Sequence, residues 1–402
     1  MSTTQEQLRP APMPSTRAGL ARQATTVAAS KVRERWRPQP ARELTDVPGS
    51  AQDLTTDWLT AVLCRDVPGA QVTEFATPGG SSGTSERVAL RLRYNDVGVE
   101  AGLPTELYLK LTASFRQRMI LGGAGAIAGE ATFFRHFRPR VEMKAPRGYW
   151  GAADTGTWKS VAVMEDIAAS KGAVFSRPTT PMTRAQLEDL LQNLARCHGA
   201  FWDDPELPRL RTPEEHFRTI STCIAMEARC RVGMKRARAV LAKRVDGEAG
   251  RLWEGTRRAL TIATDAPRTL LHGDLHVGQT YETADGRMGL ADWQIVLQGG
   301  WSYDFAYLVS TACEPEDRRA WERDLLEFYL DHLVEHGGRP PGLDEAWTAY
   351  CQLLFYPYTA WAFTIGRAAY QPRMQPESYC LAVLRRVSAA IEDNDAFRTV
   401  GL

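Results

Sequence analysis

Two aspartates constrain this chain of 402 residues more than any other feature in it. Residues 270–294 read Leu-Leu-His-Gly-Asp-Leu-His-Val-Gly-Gln-Thr-Tyr, then a short polar turn, then Met-Gly-Leu-Ala-Asp-Trp-Gln. The spacing predicts that Asp274 and Asp292 stand near the ends of neighbouring strands, and Asp285-Gly286 between them signals a tight hairpin turn. Such a hairpin brings Gln279 and Asp292 back towards Asp274. Phosphoryl transfer from a nucleotide needs a set of this kind: one carboxylate to orient and deprotonate the attacking hydroxyl, and a second carboxylate with an amide oxygen to hold Mg2+ on the phosphates. His272 and His276 have the spacing of a zinc pair on a helix, but Gly273 and Gly278 disfavour a helix and the Glu expected after the first His is missing. Either acid alone would suit a turn or a cap. Their joint spacing makes them a catalytic pair.

His272-Gly273-Asp274-Leu275-His276 together with Ala291-Asp292-Trp293-Gln294 resembles the aminoglycoside phosphotransferase and choline kinase group. The Asp-Trp-Gln triplet and Val163-Met164-Glu165-Asp166 are most similar to its ecdysteroid-kinase-like branch. The resemblance spans about residues 52–395. It implies an α+β, bilobal protein-kinase-like fold, with an antiparallel sheet and a helix in the N-lobe and a mainly helical C-lobe. It also implies ATP and Mg2+ as cofactors, Asp274 as base, and Gln279 and Asp292 as metal ligands. One position departs from the group, which carries Asn where this chain has Gln279. The Gln amide oxygen sits one methylene further out, which alters the number and geometry of the metals it can hold.

Upstream, a strand is predicted before Pro78, then a glycine-rich loop of Gly79, Gly80, Ser81, Ser82, Gly83, Thr84 and Ser85, then a strand in which Val88, Leu90 and Leu92 alternate with polar residues. Glycines let backbone N–H groups close over a triphosphate, although the same residues suit a plain hairpin turn. Gly79-Gly80-Ser81-Ser82-Gly83 also matches a hydrolase nucleophile elbow, but an alternating strand follows it and not the helix an elbow requires. A strand over residues 106–111 places Leu107, Leu109 and Leu111 on one face and Lys110 on the other. Residues 126–138 predict a helix whose buried stripe of Ile127, Phe133, Phe134 and Phe137 also contains Glu130. A buried carboxylate needs a partner, and Lys110 supplies it. The resemblance implies that this pair aims the ammonium at the nucleotide phosphates. The strand ending at Met164 leads into a loose stretch that is the expected hinge, and the resemblance makes Met164, Glu165, Asp166 and Ile167 the adenine wall. A bare strand end is the plainer reading.

Thr183 with Gln186 predicts a capping box for a helix on which His198 is a core histidine. Asp304 resembles the group's buried acid that hydrogen-bonds the catalytic-loop backbone. The expected organisation is a flexible basic arm over residues 1–50, an N-lobe over 51–166 and a C-lobe over 167–402. The arm carries +6 up to Arg42, could form a weak helix over residues 17–37, and in composition also suits a transit peptide. The net charge of +1 implies no nucleic-acid partner, and no membrane association is expected. Seven scattered cysteines suit reduced thiols in a cytoplasm, with Cys223 and Cys230 as packing residues. The chain is expected to be a monomer or weak homodimer acting on a small-molecule hydroxyl acceptor. No Gly-Lys dipeptide occurs, which excludes a Walker-type phosphate loop. Residues 347–380 hold one acid, Glu377, against Tyr350, Phe355, Tyr356, Tyr358, Trp361, Phe363 and Tyr370. The acceptor is therefore expected to be a ring-bearing or apolar alcohol and not a polycation, unless these aromatics simply fill the core. A nucleotide-binding pseudokinase without turnover is the alternative.

Overall fold

The structure, a computed structural model, describes Pro14, residues 16–369, Gln371 and residues 373–402, without the side chains of Arg17, Thr222 and Cys223. Tyr370, the Cys223 side chain and the first part of the basic arm thus lie outside the described residues. The chain divides into two compact units, Met1–Ala173 with Trp293–Ile295, and Val174–Asp292 with Val296–Leu402.

The first unit is built on an antiparallel sheet in the order β1-β2-β3-β5-β4, from β1 (Val72–Ser82), β2 (Glu86–Tyr94), β3 (Glu106–Leu111), β4 (Gly148–Asp154) and β5 (Lys159–Glu165). One face is covered by α2 (Thr56–Leu63), whose Trp58, Leu59 and Val62 pack with Leu90, Leu107, Leu109 and Val163 in a closed apolar cluster. A side-chain cap from Thr55 to the Trp58 N–H starts that helix, as its position before the apolar stripe predicts. A short α3 (Asp96–Glu100) links β2 to β3, and α4 (Phe115–Gly123) and α5 (Gly129–Thr132) follow. The helix expected over residues 126–138 is broken. After α5 the chain forms a π turn, Phe133–Phe137, and a 3-10 turn, Arg138–Arg140, yet Ile127, Phe133, Phe134 and Phe137 are buried as the stripe requires. Tertiary contact accounts for the break: Phe133 stacks on Trp293 at 3.9 Å, and a Cβ on Gly129 would lie 1.9 Å from the Gln294 carbonyl oxygen.

The stretch expected as a mobile arm contains α1 (Arg17–Trp36), which docks through the fully buried Val27 against Leu121, Ile127 and Trp158. The first unit also runs past the expected boundary at residue 166. The Asp166 side chain caps α6 (Ile167–Lys171), which stays with the sheet.

The second unit is mainly helical, with α7 (Arg184–Ala200), α8 (Pro213–Ile224), α9 (Met226–Ala237), α10 (Ala249–Ile262), α11 (Ser302–Ala312), α12 (Pro315–Glu335), α13 (Leu343–Gln352), α14 (Phe355–Ile365), α15 (Glu377–Asp393) and α16 (Ala396–Thr399). The capping box of Thr183 and Gln186 is present. Ala225, in the left-handed region, separates α8 from α9, and α13 ends before Pro357, which the first turn of α14 tolerates. The short strands β6 (Val174–Phe175), β8 (Thr280–Glu282) and β9 (Met288–Leu290) form one small sheet, and β7 (Thr269–Leu271) pairs with β10 (Leu297–Gly299) in another. Among the described residues no helix is long and apolar enough to cross a membrane.

Candidate active site

The strands that precede the two aspartates belong to different sheets. Asp274 follows β7, and Asp292 follows β9, which pairs with β8 in the expected hairpin. What joins them is His272. Its Nε2 donates to the Ala291 carbonyl at 2.8 Å, and its Nδ1 accepts from the Asp274 N–H at 3.4 Å. The Ala291 N–H also donates to the Gln279 carbonyl at 2.8 Å. The tautomer of His272 is fixed by a carbonyl on one side and an amide on the other.

The loop itself is anchored from α11. The Asp304 carboxylate accepts from the His272 N–H at 2.6 Å and from the Gly273 N–H at 3.0 Å, the second made possible by a φ of 82° at Gly273. Asp304 is fully buried and meets His198 Nε2 at 3.3 Å, while His198 Nδ1 meets the Tyr329 hydroxyl at 2.6 Å. His198 is therefore a core histidine with a task, since it orients the acid that orients the loop.

Asp274 is held by neutral groups. Tyr307 donates its hydroxyl to Oδ1 at 2.9 Å, Gln279 Nε2 lies 3.5 Å from Oδ2, and His276 Nε2 lies 3.9 Å from the same oxygen. Burial of the surroundings pushes the Asp274 carboxyl up to about 6, the Tyr307, His272 and Gln279 contacts pull it back, and the like charge of Asp292 adds to the rise. A third of the side chain stays open, so water tempers the effect of burial. His276 accepts from the Gly278 N–H at 3.0 Å through Nδ1, and burial pushes its imidazole down to about 4, so it is neutral at pH 7 with its proton on Nε2. Asp292 has a φ of 63° and a ψ of 59°, a left-handed conformation uncommon outside glycine and concentrated at functional sites.

In the sheet-bearing unit, Lys110 Nζ meets both oxygens of Glu130, at 3.1 and 2.9 Å, with each side chain 8% exposed. Ser85, Thr112 and Gln294 line the same cavity, and the buried Ser85 hydroxyl has no hydrogen-bond partner among the described residues. The glycine-rich segment is not a loop throughout. Gly79, Gly80, Ser81 and Ser82 pair with Ala89, Val88, Arg87 and Glu86, so β1 continues through them and only Gly83, Thr84 and Ser85 turn. At the expected hinge Met164 and Glu165 end β5 and Ile167 is buried. Both acids there have structural partners. Glu165 accepts from Ser170 and Lys171 at 2.8 and 3.0 Å, and Asp166 caps α6 and meets Arg91 at 3.6 Å.

The structure thus brings Asp274, Gln279 and Asp292 together in one unit and Lys110, Glu130 and Ser85 together in the other. Sequence reasoning missed Tyr307. The signal was available, because Tyr307 lies three residues after Asp304 on one helix and so shares its face. The aromatics expected at the acceptor wall divide. Tyr350, bonded to Glu322 at 2.7 Å, Phe355, tilted against Phe397 at 5.3 Å, and Tyr358 are core residues, and Tyr356 and Trp361 are buried too. Tyr356 lies 5.9 Å from the Tyr307 ring and Trp361 lies 5.0 Å from the His276 ring, edge to face, so these two border the partners of Asp274.

The sequence matches the model of the phosphotransferase enzyme family (APH) over residues 112–346. No curated protein matches the chain. Similar solved structures include choline kinase LicA from Streptococcus pneumoniae, at 12% identity and a TM-score of 0.42 over 80% of this chain and 94% of that one. Macrolide 2'-phosphotransferase MphH from Brachybacterium faecium is similar at 17% identity and a TM-score of 0.41, over 81% of this chain and 96% of that one. Aminoglycoside phosphotransferase APH(3'')-Id from Streptomyces rimosus is similar at 16% identity and a TM-score of 0.40, over 77% of this chain and 98% of that one. Because the family model takes in more than half of the chain and includes both aspartates, this protein belongs to the phosphotransferase enzyme family.

Proposed function

We propose that this enzyme transfers the γ-phosphoryl group of ATP to the hydroxyl of a small, non-polycationic, ring-bearing or apolar molecule, with Asp274 as the base. The observation that carries this reading is the environment of Asp274: a carboxylate partly open, pushed up to about 6 and fixed by Tyr307 and Gln279. A group in that state accepts a proton near neutral pH without being locked in an ion pair. As the acceptor oxygen attacks, its proton passes to Asp274, the new O–P bond forms, the bond from the γ-phosphorus to the bridging oxygen breaks, and ADP leaves. Lys110, positioned by Glu130, neutralises phosphate charge, and the turn at Gly83, Thr84 and Ser85 covers the phosphates. The adenine rests against the backbone of Met164, Glu165, Asp166 and Ile167.

The donor set also fits Mg2+. Asp292 and Gln279 would hold it with hard oxygen ligands, and Asp292 raises the Asp274 carboxyl by repulsion, a like-charge cost that a bound cation would lower. When bound, the ion supplies charge neutralisation on the phosphates. With its nitrogen towards Asp274, the Gln279 amide keeps its oxygen for that role.

The acceptor reading rests on Tyr307, Tyr356 and Trp361 beside the base and on the single acid in residues 347–380. The finer likeness to the ecdysteroid-kinase-like branch belongs to the same proposal. ATP consumption against a panel of hydroxylated metabolites, followed by mass spectrometry for the gain of one phosphate, tests it. Neutral ring-bearing alcohols should outperform kanamycin, and comparable rates for kanamycin would overturn the acceptor class. ATP binding without consumption across the panel would point instead to a binding module without turnover.

A further inference from the structure

The N-terminal helix lies within the sheet-bearing unit, and one ion pair ties it to α4. Arg118 on α4 is fully buried, and a buried guanidinium is stable only when its charge is matched. Its Nη1 and Nη2 donate to the two carboxylate oxygens of Glu34 on α1 at 2.8 and 2.9 Å, the fork-on-fork geometry that makes the strongest pairs. Its Nε donates to the Thr112 carbonyl at 3.0 Å, two residues past Lys110. Ser30 and Lys31 also donate to Glu34, at 2.9 and 2.8 Å. Burial alone would raise the Glu34 carboxyl, but these donors, Arg118 foremost, bring it down to about 2.

The neighbour of Arg118 reaches the glycine hairpin. Gln117 is buried, and its Oε1 accepts from the Ser114 N–H at 3.0 Å in a capping box. Its Nε2 is left to donate to the Ser82 hydroxyl at 3.2 Å and the Gly83 carbonyl at 3.4 Å, at the tip of the β1–β2 hairpin. The turn has one backbone bond of its own across the tip, from the Gly83 N–H to the Ser85 carbonyl at 2.9 Å. Ser85, with its hydroxyl unbonded among the described residues, lines the cavity of Lys110 and Glu130.

We propose that α1 is a positioning element of the nucleotide site: Glu34 locks α4 through Arg118, and Gln117 on α4 holds the hairpin tip in place to cover phosphate. The inference rests on the phosphate-covering role proposed above for the turn at Gly83, Thr84 and Ser85. Loss of Glu34 leaves Arg118 charged and unmatched, so α4 shifts to hydrate it and carries Gln117 away from the tip.

The test uses the full chain, a fluorescent ATP analogue for affinity, and amide exchange with and without ATP. Gln117→Ala, which alters no charge, should weaken analogue binding roughly tenfold, the size of one or two lost hydrogen bonds. It should also abolish the protection that ATP confers at residues 82–85 while leaving exchange in β3 and β5 as in wild type. Glu34→Gln should give the same signature with a lower Tm, and adding Arg118→Met should recover the Tm. If Glu34→Gln does not fold, Glu34→Asp, which keeps the charge but cannot reach Arg118 with both oxygens, takes its place and should show the same loss of protection at 82–85 in part; wild-type protection there would overturn the role of α1. Wild-type affinity and wild-type protection at 82–85 in Gln117→Ala would overturn the proposal, as would a loss of protection spread evenly over the sheet. A wild-type protein that binds the analogue without gaining protection at 82–85 would instead remove the covering role itself, and the proposal with it.

Discussion

Lys110 and Asp274 are both charged groups in packed surroundings, and the protein treats them in opposite ways. Lys110 faces a full opposite charge from Glu130, with both side chains 8% exposed. Asp274 faces a phenol, an amide and a neutral imidazole, with a like charge from Asp292 nearby. An ion pair holds a charge in one state. Neutral donors hold a carboxylate in position while leaving its proton affinity close to the working pH. The first arrangement suits a fixed electrostatic clamp and the second suits a group that must take up a proton.

The widest separation between the two regions should come from Asp274→Asn. Turnover should fall by roughly 10^2 to 10^4, the usual effect of losing a positioned base. Stability should move the other way or not at all. The carboxyl is raised in the folded state from 3.8 to about 6, so the folded state binds the proton more tightly than the unfolded one. That contribution to stability is fully present below 3.8 and is lost as pH rises through 6, so at pH 7 the ionised Asp274 is a burden that the amide lacks. A marked drop in Tm at pH 7 would show that Asp274 is structural.

Lys110→Met should lower both activity and stability. Breaking a buried pair by removing one partner costs about 3–5 kcal/mol, because Glu130 then loses the ammonium that balances its charge. Lys110→Met with Glu130→Leu should regain much of the Tm but none of the turnover. Retention of activity by the double variant would dissolve the clamp.

Gln279→Leu should raise the Mg2+ concentration needed for half-maximal rate, whereas Gln279→Asn should keep a usable site. The same Mg2+ dependence in wild type and the Leu variant would remove Gln279 from the metal set. The smallest effect is expected from Tyr307→Phe. Its hydroxyl stabilises the charged carboxylate, so its loss should raise the Asp274 carboxyl further and move the acidic limb of kcat/KM to higher pH, with a several-fold fall in kcat. An unmoved limb would mean that the Tyr307 bond does not bear on the reacting state.

Features set by local periodicity could be read from the sequence. Alternation in β3 placed Lys110 opposite the leucines, helical spacing placed Glu130 on a buried stripe, and the two were found in contact. Features set by distant contacts could not. Nothing near residue 130 announces that Trp293 will stack on Phe133 and break the helix, and nothing near Arg17 announces that Arg118, a hundred residues on, will need Glu34. The aspartates needed both kinds of feature. The expected hairpin of β8 and β9 forms and carries Asp292 back beside Gln279, while the bond from His272 to the Ala291 carbonyl, which links the two sheets, has no local signal. The glycine-rich segment misled in the other direction, since glycine content signals a loop while Gly79 and Gly80 extend a strand.

The three residues Trp293–Ile295 give the chain an order of assembly. They belong to the sheet-bearing unit although 119 residues of the helical unit, Val174–Asp292, precede them on the ribosome. While those residues are being made, Phe133 lacks its stacking partner and Gly129 faces no backbone. The nascent N-terminal part therefore waits, incomplete at the helix that carries Glu130, while the next 119 residues are made. Domains are usually finished in the order they emerge. Of the two units, the sheet-bearing one is completed only after about half of the helical one is made, so a ribosome stalled before Trp293 would hold a complete sheet with Phe133 uncovered, an apolar face that chaperones can recognise.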